Sequence, residues 1–403
     1  AVDGVRARAA RLCAPDPAAL TGVWDAAARA RVAAALAQAA PFARPLAPRV
    51  LAALDDYAAG WLAAQRASCE ATHRHHTQSV AQQERRGECL AQRRRVLAAT
   101  AEVFSTQAER AAERAGELLA GLGSFDLCSD AEALRLGTPV PPSRAALVDV
   151  DRLRGLLARG DARLISEDLV GARAALSEAT ALQQRLGLAS TAGEVQHLAA
   201  RVGLKAGALK EGVAALQRAL ALATSTRNDA LQAALWYTLA SEAGPGHSPP
   251  EEALGWCQQA EAWGERLRPQ DALARRALAS VRANLLIAAG RAAEARQLLE
   301  QALAGPPPPP ALHLRLLRGR AIARAALTDK AGALADYQEA IALAVGRYGP
   351  DHPEVARSQR ALGVLKVERL GDNAGGVADM PAPSSAAAST ATRRVAPAVV
   401  VMG

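Results

Sequence analysis

The chain has 403 residues, of which 50% are apolar and only 3% aromatic, enough to bury a substantial core and to hold more than one structural unit. Alanine and leucine dominate, a composition that suits close helix packing, gives little support to a β-sandwich and predicts an all-α protein. The formal charge of +8 does not amount to a nucleic-acid footprint: the arginines, among them Arg282, Arg291, Arg296, Arg315, Arg318 and Arg320, alternate with acids and lack interleaved stacking aromatics, so no nucleic acid is expected as a partner.

Nothing near Ala1 orders a charged start, an apolar run and a cleavage site as a secretion signal does, and the chain reads as a piece of something longer. No run of about 18 uncharged apolar residues occurs, so no membrane span is expected within it, and any anchor would lie upstream. Residues 1–137 carry four of the five cysteines, Cys13, Cys69, Cys89 and Cys128, with Trp24, Trp61 and Phe104 as landmarks. Proline is absent from Arg49 to Gly137, which permits long helices of the kind an antiparallel hairpin uses. Pro139, Pro141 and Pro142 then mark a boundary.

From 143 to 370 the chain repeats. An alanine returns at one phase at Ala179, Ala219, Ala260, Ala302 and Ala340, spaced by 38 to 42 residues, and seven positions before each stands another small residue, Ala172, Gly212, Ala253, Ala295 or Ala333. Small residues one heptad apart let a neighbouring helix approach closely, so the pattern predicts an α-solenoid of stacked helical hairpins. Second helices are expected to begin near Asp168, Lys210, Pro250, Arg291 and Lys330. First helices carry a small residue twelve positions before the first small residue of four of the five pairs, at Gly160, Ala200, Ala283 and Ala321. The third copy departs, because the Gly244–Pro250 stretch lengthens its turn. Pro306 to Pro310 reads as a stiff extended connector in preference to a ligand for a proline-binding domain. A sixth copy begins at His352-Pro353-Glu354-Val355-Ala356, but Pro383 falls where its second helix needs alanine; 371–403 is low in complexity and expected to be disordered.

These small positions resemble the tetratricopeptide family, and Arg347-Tyr348-Gly349-Pro350-Asp351-His352-Pro353-Glu354-Val355-Ala356 resembles the inter-repeat turn of its kinesin-light-chain-like variety. The resemblance implies a right-handed superhelix whose concave face, lined by first helices such as 193–206, 272–288 and 311–326, takes a peptide or protein ligand. Upstream, Val23-Trp24-Asp25, Tyr57 with Trp61, Cys69-Glu70-Ala71-Thr72, Glu88-Cys89-Leu90 with Arg93 and Arg94, and Cys128-Ser129-Asp130 with Leu134 resemble the segment between kinase domain and repeats in large bacterial, myxobacterial-type serine/threonine kinases. That implies a cytoplasmic kinase domain joined by a membrane span to this region, which would then lie outside the cytoplasm. The kinase's own catalytic parts are missing: no glycine-rich phosphate loop, paired lysine, His-Arg-Asp loop or Asp-Phe-Gly occurs, and no other catalytic constellation or cofactor motif is present. The expectation is therefore a non-catalytic docking or sensor region. The alternative is a stand-alone cytoplasmic adaptor.

Four cysteines in one helical segment fit an oxidising compartment. On one straight helix Cys69 and Cys89 would stand about 30 Å apart, beyond any disulfide, which favours pairing Cys13 with Cys69 and Cys89 with Cys128; four reduced, buried thiols are the alternative. Cys257 takes the phase of Leu176, Leu216, Leu299 and Tyr337 and should be a packed apolar substitute. Cys69, His73 and His76 would share a helix face as metal ligands might, but no second ligand pair completes a set, so a polar surface is the better reading and no metal is expected.

Overall fold

The computed structural model describes residues 13–135, 144–244, 246–267 and 271–367. Within them the fold is all-α, with no strand. The four-cysteine part opens with α1 (Ala26–Gln38), α2 (Ala47–His73) and α3 (Val80–Thr106), followed by the short α4 (Ala108–Glu113), α5 (Ala115–Ala120) and α6 (Ala131–Arg135). Asp25 starts α1 by accepting from the Ala28 N–H at 2.8 Å. Ser79 starts α3 with a capping box, its hydroxyl accepting from Gln82 N–H while the Gln82 side chain accepts from Ser79 N–H, which satisfies two otherwise unpaired donors.

That cap corrects the premise of the cysteine argument. Cys69 and Cys89 lie on two antiparallel helices, not one, because the chain reverses between α2 and α3 with His76 in the left-handed region at φ 53°. The favoured pairs are nevertheless the ones joined: Cys13–Cys69 with Cα atoms 5.4 Å apart and Cys89–Cys128 with Cα atoms 5.5 Å apart. Each ties a flanking segment to a long helix. Around them Trp61, Phe104, Leu36, Leu54, Leu90 and Leu97 are fully buried, and the polar ends of the aromatics are satisfied: Trp61 Nε1 donates to Leu90 O at 2.7 Å and Tyr57 Oη to Leu122 O at 2.6 Å.

The repeats follow as hairpins: α7 (Arg144–Ile165) with α8 (Leu169–Leu186), α9 (Ala189–Lys205) with α10 (Leu209–Ser225), α11 (Asp229–Thr238) with α12 (Pro250–Leu267), α13 (Ala272–Ala288) with α14 (Ala292–Leu303), and α15 (Pro310–Ala326) with α16 (Lys330–Tyr348). The lone helix α17 (Pro353–Leu365) begins a sixth copy. The small residues sit where helices touch: Ala172, Ala179, Ala219, Ala253, Ala295, Ala333 and Ala340 have no exposed surface, and Ala260 and Ala302 are buried. A methyl at Gly160 would strike Leu198, and one at Gly212 would strike Leu204, so these positions are small because a leucine of an adjoining helix fills the space. Cys257 is fully buried in the same layer, and burial pushes its thiol up to about 11, which fits a packed side chain and not a nucleophile.

The third copy's irregularity has a structural form. Helix α11 stops at Thr238 and continues as a π-helical turn over Leu239–Ala243, with Leu239, Ala240 and Ala243 buried. The connector before α15 is extended, Pro309 standing at φ −50° and ψ 145°, and Arg276 Nη1 reaches Pro306 O at 2.8 Å. At the turn into the sixth copy, Gly349 takes φ 93°, a conformation that favours glycine. The boundary prolines Pro139, Pro141 and Pro142 and the low-complexity stretch 371–403 lie outside the described residues.

Both ends of the array rest on the four-cysteine part. At the start, Arg95 reaches Asp151 at 2.8 Å, Arg154 reaches Glu88 at 2.8 Å, and Arg159 and Arg163 both bind Glu102. At the far end α5 packs on α15; His352 Nε2 bonds to Ala112 O at 3.0 Å, and its ring stacks on Tyr348 and meets the edge of Phe42. Gly116 permits this approach, since a Cβ there would run into Tyr348 Oη and lie 3.2 Å from Ala311 Cβ. Gly116→Leu should therefore detach the last copy, at a cost of about 1–3 kcal/mol from overpacking. Small-angle scattering should show an enlarged radius of gyration; an unchanged radius would mean that this contact does not close the arc.

Candidate functional site

A partly buried polar network runs along the first helices of copies 1 to 3. Arg154 of α7 is 4% exposed and donates to Glu88 of α3 at 2.8 Å and to Glu194 of α9 at 2.9 Å. Beside it Arg201 lies between Asp161 of α7 and Glu242, donating to Glu242 at 2.9 Å. Burial alone would lower both guanidinium pKa values, but the flanking carboxylates outweigh it and hold them above the ordinary arginine value. Asp161, Arg201 and Glu242 occupy equivalent places in successive copies, 40 and 41 residues apart, so the repeat stacks charges of alternating sign into a ladder.

His197 belongs to the same face. Thr238 Oγ1 donates to Ala234 O and so accepts from His197 Nε2 at 2.8 Å. Burial, with the Arg201 charge beside it, pulls this imidazole down to about 3. The unfolded chain, where His197 titrates near 6.5, thus binds a proton before the folded chain does as pH falls. Stability should be full above about pH 7 and be lost progressively from about pH 6.5 toward 3. His352, also held below its ordinary value by burial, adds to the same slope. Thermal melts between pH 7 and 5 check this: His197→Gln, which keeps a donor for Thr238, should flatten the dependence, and an equal slope in both proteins would contradict it.

Two hollows flank the ladder. One is a half-open hollow of about 370 Å3 between α3, the 127–134 segment, α7, α9 and the start of α11. The other is a cleft of about 730 Å3 running across copies 2 to 4, where alanines such as Ala233, Ala234, Ala274 and Ala279 alternate with polar and charged residues, among them Tyr237, Glu265, Arg275 and Arg282. Arg282 is paired with Glu261 at 3.1 Å. The expected groove along 193–206, 272–288 and 311–326 is thus open only in part, because α15 meets α5 of the four-cysteine part while α9, α11 and α13 line the cleft.

The remaining expected residues fall into place without forming a reactive centre. Cys69 is bonded to Cys13, and His76 lies past the end of α2 with positive φ, so Cys69, His73 and His76 do not share one helix face. The ten repeat-phase residues serve packing. The ladder residues Arg154, Asp161, Glu194, His197, Arg201 and Glu242 were missed by the sequence reading, which followed apolar phase; the signal was a charge one position after Gly160 and again one position after Ala200, alternating in sign.

No family model matches the chain, and no curated protein matches it. The class of protein is set by the fold: an all-α array of consecutive helical hairpins, bearing a disulfide-linked helical part. Two bonded cysteine pairs fit an oxidising, extracytoplasmic setting. Among the described residues no helix is long and apolar enough to cross a membrane.

Proposed function

We propose that this chain is the non-catalytic, protein-binding docking or sensor region of a bacterial receptor-type serine/threonine kinase, taking an extended peptide of a partner protein in the cleft across copies 2 to 4. The observation that carries the binding part of this reading is the cleft itself: about 730 Å3 between first helices α9, α11 and α13 and second helices α12 and α14, with alanines set among polar and charged side chains. Alanine walls leave room for the partner's larger side chains, and Arg282 and Tyr237 offer polar contacts at its edge. The kinase association rests on the order of the Trp24, Cys69, Cys89 and Cys128 landmarks ahead of the repeats, and the two bonded pairs favour it over a cytoplasmic adaptor.

A displayed library of unstructured peptides, selected on the full chain under oxidising conditions, tests the binding. Selected sequences should bind the native protein and lose at least about tenfold in affinity to Ala274→Trp, which fills the cleft from an exposed position. Selected peptides indifferent to that substitution would overturn the cleft assignment. The reading frame upstream of Ala1 should encode a membrane span and a kinase domain; their absence would overturn the kinase association and favour the adaptor.

A further inference from the structure

We propose that the turn joining α2 to α3 is a docking tip for the anionic surface of a lipid bilayer. Four successive residues, His73, Arg74, His75 and His76, are exposed there, and Val80, the first residue of α3, is 61% exposed. Between Arg66 and Arg86 the hairpin carries four arginines and three histidines against two glutamates, Glu70 and Glu84. A cationic surface with an apolar residue beside it thus stands at one end of two 27-residue helices.

Internal bonds fix the shape of this turn. Gln78 Nε2 donates to Ser68 O at 3.2 Å and to Thr72 Oγ1 at 3.0 Å, and both Ser68 and Thr72 are buried. Thr77 N–H bonds back to Ala71 O at 2.9 Å, and the Ser79 capping box starts the next helix. None of these bonds uses a histidine side chain, so the three imidazoles are left to the surface. The charges around them on α2 are Arg66, Glu70 and Arg74: Glu70 lies 3.1 Å from Arg66 and 3.5 Å from Arg74, and the hydrogen bond from Arg66 holds its carboxyl below the ordinary range. The first charges on α3 are Glu84, Arg85 and Arg86. Histidine gains its charge in mildly acidic water, so acidification makes the tip more cationic.

The Cys13–Cys69 bond sets which way the tip faces. Cys69 stands about 6 Å before the end of α2, at 1.5 Å of rise per residue, so the disulfide places Cys13 beside the tip. This step rests on the kinase reading, in which a membrane span lies upstream of Ala1: the chain from that span then arrives at the tip, and the tip points back at the bilayer. A hairpin end offers no concave wall to a folded partner, whereas a bilayer needs none. Each positive charge near an anionic bilayer strengthens binding by about fivefold, within a Debye length of about 8–10 Å, and Val80 adds an apolar contact with the interface.

The test is co-sedimentation of the oxidised full chain with vesicles of phosphatidylglycerol and phosphatidylcholine, and with vesicles of phosphatidylcholine alone, at about pH 7.5 and about pH 5.5 in about 0.1 M salt. The chain should bind the anionic vesicles, at least about tenfold more tightly at the lower pH, and should not bind the neutral ones. His73→Gln with His75→Gln and His76→Gln should abolish the gain at low pH. Val80→Asp, which puts an acid in the first turn of a helix where it is well tolerated, should weaken binding by at least about tenfold. Because the chain carries a formal charge of +8, a control removes three charges elsewhere: Arg185→Gln, Arg218→Gln and Arg227→Gln, all exposed in copies 1 and 2, should change affinity by less than about threefold. The proposal is overturned if the anionic vesicles are not bound at about pH 5.5, if neutral vesicles or soluble polyglutamate bind as tightly, or if the control weakens binding as much as the tip variants do. Vesicle binding and the reading frame upstream of Ala1 are separate measurements, so the tip and the kinase reading can fail independently.

Discussion

Replacing Arg154 with alanine should destabilise the protein by about 3–5 kcal/mol, the range expected when one member of a buried charge network is removed. The guanidinium is 4% exposed, and its partners Glu88 and Glu194 are 19% and 13% exposed, so the substitution strands Glu194 and leaves Glu88 to Arg95 alone. Arg154 also joins α3 to α7 and α9, and its loss should therefore loosen the four-cysteine part from the first copy as well as lower the unfolding midpoint. Amide exchange along Val80–Thr106 measures the loosening, and denaturant unfolding the loss of stability. A cycle with Glu194→Gln separates pair from penalty: the double variant should recover part of the loss, because fewer charges are left unpaired. A loss below about 1 kcal/mol, the level of an exposed pair, would show that the network is solvated.

Removing either disulfide should cost about 4 kcal/mol, as loop-closure entropy predicts for bonds with sequence separations of 56 and 39 residues. The effect should be local. Cys13→Ser with Cys69→Ser frees the chain before α1, whereas Cys89→Ser with Cys128→Ser releases the 127–134 segment from α3. Thiol titration gives the companion result. The native protein should show almost no reactive thiol, since Cys257 is fully buried with its pKa near 11. Denaturation without reductant should expose Cys257 alone, and reductant should release Cys13, Cys69, Cys89 and Cys128. Five thiols reacting in denaturant without reductant would mean that the bonds do not form and would remove the case for an oxidising compartment.

How far the sequence could be read differs between the repeats and their surroundings. Second helices expected near Asp168, Lys210, Pro250, Arg291 and Lys330 begin at Leu169, Leu209, Pro250, Ala292 and Lys330, because start signals are local: Asp168 and Asp329 cap the helices they precede. The pairing of the cysteines was reached through a wrong premise. The proline-free run from Arg49 to Gly137 points to an antiparallel hairpin but not to where it turns; the capping box at Ser79 with Gln82 marks the start of its second helix. The ladder of Asp161, Arg201 and Glu242 was legible as a charge at fixed phase but carries meaning only once successive copies are stacked.

By itself, then, the sequence determined the all-α class, the hairpin period and the burial of Ala179, Ala219 and their counterparts, since helix periodicity and side-chain size act over one or two turns and need no distant partner. Only the tertiary structure decided that the four-cysteine part meets both ends of the array, that Gly116 lies under Tyr348, and that Arg154 joins Glu88 to Glu194. Those outcomes depend on how small rotations between hairpins accumulate along the solenoid, a sum over many contacts that no single stretch of sequence contains.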